Sequence, residues 1–156
     1  MTATVLGVGN VLMGDEGVGV RAAEALRGRV PDGVRVVEAG ALGLELLAEF
    51  EAASRLLILD CVDAGMPAGR VLRLRDAGVT GSPRPNSPHL SPHELGVGDL
   101  LSLAALHSKA PEEVVVLGVQ PASVAPGLEL SPEVAAALPR LVREALGIIT
   151  RWGTSG

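Results

Sequence analysis

Short apolar runs alternate along this chain with stretches in which apolar residues recur every three or four positions. That alternation predicts βαβ units and a mostly parallel sheet. Residues 4–8 read as the first strand and 34–38 as the second. Residues 55–60 read as a third, a continuous apolar run of the kind buried on both faces. The last strand is predicted over 113–119. Between these strands, 17–27 reads as a helix with Val18, Ala22, Ala25 and Leu26 on one side. A second helix spans 42–52, with Leu42, Leu46, Leu47 and Phe50 aligned.

Residues 69–75 show a different pattern. Val71, Arg73 and Arg75 alternate with Leu72 and Leu74, which predicts an edge strand with one wet face. Residues 78–92 have no periodicity and carry Pro83, Pro85, Pro88 and Pro92, so they read as a mobile loop that orders when a partner docks. Ser91, Pro92 and Glu94 suit the N-cap, N1 and N3 positions of a helix running to about His107. A final helix opens at Ser131-Pro132-Glu133. Its stripe is Val134, Leu138, Leu141, Val142, Ala145, Ile148 and Ile149, and Pro139 is placed to kink it.

No repeat and no long linker divides the 156 residues, so 1–156 reads as a single domain able to bury a core. Phe50 and Trp152 are the only aromatic residues, which leaves the core to Val, Leu, Ile and Ala and disfavours stacking on bases. A net charge of −5 disfavours nucleic acid as a partner. The lone Cys61 cannot form an internal disulfide, no leader is evident, and no apolar run is long enough to span a membrane. Together these predict a cytoplasmic protein without a membrane partner.

The candidate chemistry lies where strands end. Gly7-Val-Gly-Asn-Val-Leu-Met-Gly-Asp-Glu-Gly-Val-Gly19 is a glycine-rich loop carrying Asp15 and Glu16 just after the first strand. Asp60 ends the third strand, and His93 stands in a first helical turn. In an open parallel sheet, ligands collect at the carboxyl ends of the strands. Glu16, Asp60 and His93 would make a three-ligand set with coordination positions left open for a divalent metal. Plainer readings compete. Asp15 and Glu16 would also suit the positive end of the following helix, Asp60 could cap a turn, and His93 could be an exposed first-turn residue. Asp15, Asp63 and His89 are the rival donors. Gly7 and Gly9 begin a dinucleotide fingerprint, but Leu12 occupies its third glycine position. Cys61 reads as a small core residue more readily than as a nucleophile. No serine-centred elbow supports a serine triad.

These residues carry a resemblance. Gly7 to Val20 resembles the N-terminal signature of the [NiFe]-hydrogenase maturation endopeptidases. Leu57-Ile-Leu-Asp-Cys-Val-Asp-Ala-Gly65 resembles their second motif, and Ser91-Pro-His-Glu-Leu-Gly96 with Asp99-Leu-Leu101 their third. Val116-Leu-Gly-Val-Gln-Pro121 resembles the strand that follows. The resemblance implies one three-layer α/β/α domain with a five-stranded, mostly parallel twisted sheet and an antiparallel edge strand. It implies an endopeptidase that removes a C-terminal extension from a hydrogenase large-subunit precursor after nickel insertion. The family's metal-binding and catalytic positions fall on Glu16, Asp60 and His93. The nickel is expected to arrive with the substrate, and other divalent ions could occupy the same ligands. One departure stands out: relatives often have Asp-Gly-Gly-Thr at the turn after the second strand, where this chain has Glu38-Ala-Gly-Ala41. A metal-binding chaperone for the same precursor and a nucleotide-binding module are the alternatives from other classes.

Overall fold

A computed structural model describes residues 3–40, 53–75, 89–90 and 111–154. Strands β1 (Ala3–Val8), β2 (Val34–Gly40), β3 (Arg55–Asp63), β4 (Val71–Arg75) and β6 (Glu113–Val119) form one sheet in the order β2-β1-β3-β6-β4. The pairs β1–β2, β1–β3 and β3–β6 are parallel, and β4 runs antiparallel to β6 at the edge. A two-residue strand β5 (His89–Leu90) pairs with the end of β3, off this path. The fold is therefore α/β with a five-stranded, mostly parallel sheet and an antiparallel edge strand. The edge assignment of β4 holds for the expected reason: Arg73 faces solvent while Leu72 and Leu74 pack against the core.

The apolar runs are runs because both faces of the sheet are buried. Val5, Leu57, Leu59, Leu117 and Val119 point to one side. Helices α1 (Val18–Leu26) and α2 (Pro132–Thr154) cover that side. Leu6, Val8, Leu56, Ile58, Val114 and Val116 form the core of the other. Each fully buried Leu or Ile contributes about 1.5–3 kcal/mol relative to exposure. The predicted helices over 42–52 and 91–107 lie outside the described residues, as does the loop over 78–92 apart from β5.

Several strand ends and helix faces differ from expectation. Strand β2 continues past Glu38 through Ala39 and Gly40, and the Glu38 carboxylate accepts a bond from Arg27 Nε at 3.1 Å. Strand β3 runs three residues past Asp60, because β6 pairs with it as far as Cys61 and β5 pairs with Val62 and Asp63. In α1, Ala25 is exposed and Ala23 buried, the reverse of the predicted face. Helix α2 passes through Pro139, and its stripe gains Ala137 and Trp152.

The reason for the rotated face of α1 lies in two glycines. A Cβ on Gly7 would lie 2.6 Å from the Ala23 methyl and 2.6 Å from the Gly19 carbonyl oxygen. A Cβ on Gly19 would overlap the Leu59 carbonyl oxygen and lie 2.6 Å from that of Val8. The helix thus rests on the strand backbones themselves, nearer than any side chain would permit. Backbone has no rotamer with which to retreat. Gly19→Ala should cost about 2 kcal/mol, checked by denaturant unfolding, whereas Ala25→Ser on the exposed face should stay within about 0.5 kcal/mol.

Candidate active site

Parallel pairing between β1 and β3 ends at Gly7 opposite Leu59. Asp60 is the next residue of β3, so it stands where β1 leaves the sheet. The chain leaving β1 turns at Gly9, whose φ of +130° suits only glycine. A Cβ there would overlap the Glu16 carbonyl oxygen and lie 3.7 Å from Asp60 Oδ1. One glycine thus lets the loop carrying Glu16 close onto the Asp60 carboxylate. Glu16 lies in a 3-10 turn (Gly14–Gly17) whose backbone is buried throughout. Both carboxylates are buried, Glu16 at 5% and Asp60 at 0% exposure. Asp60 Oδ1 accepts the Cys61 N–H at 2.7 Å.

The rival donors have other tasks. Asp15 is 1% exposed, and its oxygens accept four bonds. Oδ2 takes the N–H groups of Ala122 (2.8 Å) and Ser123 (3.0 Å) and the Ser131 hydroxyl (2.8 Å), while Oδ1 takes the Ser131 N–H (2.7 Å). Burial pushes this carboxyl up, but the donors from Ser131, Ser123 and Ala122 outweigh it and hold it below its ordinary value. Asp15 is a clamp between the first loop and the segment entering α2. Asp63 bends back instead. Its Oδ1 accepts the Gly65 N–H at 3.2 Å and Gln120 Nε2 at 3.1 Å.

Gln120 was not singled out as a site residue in the sequence. It is buried, and its Oε1 takes the N–H groups of Ala64 (2.7 Å) and Met66 (3.2 Å). It fixes the turn that follows β3. A glutamine directly after a wholly apolar strand was the available signal.

Cys61 is 3% exposed, and its thiol is pushed up to about 12. Burial is the main cause, followed by the negative charges of Asp60, Glu16, Asp15 and Asp63. A thiol held protonated is not a nucleophile at neutral pH, which agrees with the core reading.

His93 lies outside the described residues. His89 is the β5 residue opposite Asp63. Among the described residues, no three His, Cys, Asp or Glu side chains are grouped to hold a metal ion. Glu16 and Asp60 supply two buried carboxylates at the carboxyl edge of the sheet, donors that suit a hard or borderline divalent ion.

The family model for hydrogenase maturation proteases, HycI, matches residues 20–148. The chain belongs to this family. It is 35% identical to the hydrogenase 2 maturation protease of Escherichia coli over 98% of this chain and 93% of that protein. It is 36% identical to the hydrogenase expression/formation protein HupD of Bradyrhizobium diazoefficiens over 97% of this chain and 79% of that protein. Its fold matches the hydrogenase maturating endopeptidase HybD from E. coli with a TM-score of 0.87 at 33% identity, over 98% and 94% of the two chains. The protein is thus a peptidase, as the motif resemblance implied, and neither a nucleotide-binding module nor a non-catalytic chaperone. The maturation-protease fold also accounts for the acid-rich loop: a phosphate-binding loop would not place Asp15 and Glu16 where phosphate must lie.

Proposed function

We propose that this maturation protease removes the C-terminal extension of a [NiFe]-hydrogenase large-subunit precursor after nickel insertion. Glu16, Asp60 and His93 would recognise the nickel that the precursor carries. The observation that supports the reading is the junction at Gly9, where the backbone of the loop carrying buried Glu16 closes beside the Asp60 carboxylate at the point where β1 leaves the sheet. Carboxylate oxygens are donors that suit a divalent ion, so buried acids on this edge fit a metal that arrives with its own ligands. An incomplete ligand set discriminates well. It grips a loaded precursor and has little with which to hold an empty one. The energy of that grip fixes one peptide bond against the site, and positioning of this kind lowers the barrier substantially. A carboxylate so placed is suited to accept a proton from the attacking water. The lone Cys61 fits a reducing cytoplasm. No helix among the described residues is long and apolar enough to cross a membrane.

Purified precursor, prepared with and without nickel, tests this directly. Mass spectrometry should show loss of the C-terminal extension from the loaded form, at least about a hundredfold faster than from the empty form. Nickel titrated into the isolated protease should bind far more loosely than a closed structural site would hold it. Efficient cutting of metal-free precursor, with chelator present throughout, would falsify the nickel-reading mechanism.

A further inference from the structure

Four large apolar side chains stand exposed among the described residues: Leu12, Met66, Val124 and Leu128. Single exposed apolar residues need no explanation. Three of these four, however, lie on the two loops that the Asp15 clamp joins. The Gly127 N–H donates to the Leu12 carbonyl at 2.8 Å, and the Gly14 N–H to the Gly127 carbonyl at 2.9 Å. Leu12 is therefore paired with the residue next to Leu128. Val124 follows Ser123, whose carbonyl accepts the Asp15 N–H at 3.3 Å. The most exposed of all, Leu12 at 59% and Leu128 at 62%, thus meet on one rim. Beside it lies a depression of about 450 Å³, lined by Ser123, Pro126, Gly127, Leu128, Leu130 and Ser131.

This rim is stiff. Four bonds to the Asp15 carboxylate and three between the loop backbones hold it, so the backbone that carries the leucines is fixed. Preorganised apolar side chains lose little entropy when a partner covers them. The rim is also continuous with the site: the Glu16 N–H donates to the Met13 carbonyl at 3.3 Å, one turn from Leu12. The rim therefore borders the loop that carries Glu16, within reach of a folded protein presented there.

We propose that Leu12, Val124 and Leu128 form a docking rim for an apolar patch of the precursor large subunit, beside the extension that is removed. This rests on the function proposed above. The rim supplies affinity for the protein body, while Glu16 and Asp60 read the metal. Apolar anchors next to a concave surface are the usual centres of binding energy in such contacts.

Leu12→Glu and Leu128→Glu test it with purified nickel-loaded precursor. Both positions are exposed, so circular dichroism melts should match the parent protein. KM for the precursor, and its dissociation constant by titration calorimetry, should rise by about tenfold or more with kcat little changed. Met66→Glu, exposed but off the rim, should leave KM unchanged. Parent-like KM and binding in both leucine variants would overturn the rim while leaving the protease function intact. An equal rise from Met66→Glu would also overturn it. If sedimentation shows that the rim pairs two copies of this chain, the occupant is wrong. Should the parent protein fail to cut, the function falls; binding of loaded precursor that depends on Leu12 and Leu128 would still uphold the rim.

Discussion

Asp60→Asn should lower precursor processing by at least about a hundredfold while leaving the protein folded. The substitution keeps the shape of the side chain and an oxygen for the Cys61 N–H, so the local bond at 2.7 Å survives. What it removes is a negative charge beside Glu16, and with it much of the attraction for a divalent ion. Glu16→Gln does the same on the other side of Gly9. His93→Ala should be as severe, because a three-donor set has none to spare. The comparison substitutions are Asp63→Asn and His89→Ala. Asp63 bonds to Gly65 and Gln120 and stands away from the Gly9 junction, so its amide variant should lose less than about tenfold. Mass spectrometry of the precursor over time measures all five, and thermal melts establish that each is folded. Processing at parental rates by Asp60→Asn would remove this carboxylate from the chemistry.

The sheet was legible wherever burial left one choice of pattern. Residues 113–119 could be read to the residue, because the apolar run from Val114 to Val119, set between Glu113 and Gln120, fits a strand buried on both faces. Strand β4 could be read from its alternating arginines. The end of β3 could not: Val62 and Asp63 are in a strand only because β5 pairs with them, and that pairing is set by His89 and Leu90, far downstream. The buried face of α1 was misread at Ala23 and Ala25 for a similar reason. Both are alanines, so hydrophobicity cannot choose between them, and the choice is made by the absent side chains of Gly7 and Gly19.

At the candidate site, the sequence pointed to the glycine-rich loop but could not separate Asp15 from Glu16. Adjacent carboxylates on a glycine-rich turn look alike in one dimension. Their difference is made by Ala122, Ser123 and Ser131, more than 100 positions away, whose donors all converge on Asp15. Of the trio, Glu16 and Asp60 are both buried, on the two sides of Gly9, and His93 lies outside the described residues.

That division of labour gives Asp15 a structural task, four accepted bonds on one buried carboxylate. Asp15→Ala would leave three backbone N–H groups and the Ser131 hydroxyl without their acceptor. Each such loss costs about 1–3 kcal/mol where water cannot enter, and some relaxation is expected, so a loss of about 4 kcal/mol should follow. Asp15→Asn should lie between, near about 2 kcal/mol. Its amide oxygen can serve the two N–H groups at Oδ2, but its NH2 then faces the Ser131 N–H. The pH dependence has a definite sign. The folded carboxyl titrates below its ordinary 3.8, so the clamp's contribution is fully present above that value. It is lost as the pH falls through the depressed value, where protonation turns an acceptor into a donor. Denaturant unfolding at pH 7 and at about pH 3 should therefore show a larger loss for the parent protein than for Asp15→Asn, which has no charge to lose. Because the clamp also holds the loop that carries Leu12 and Glu16, Asp15→Ala should raise KM for the precursor under conditions where the variant remains folded. Equal pH dependence in the parent and in Asp15→Asn would mean that the acid sensitivity of this fold resides elsewhere.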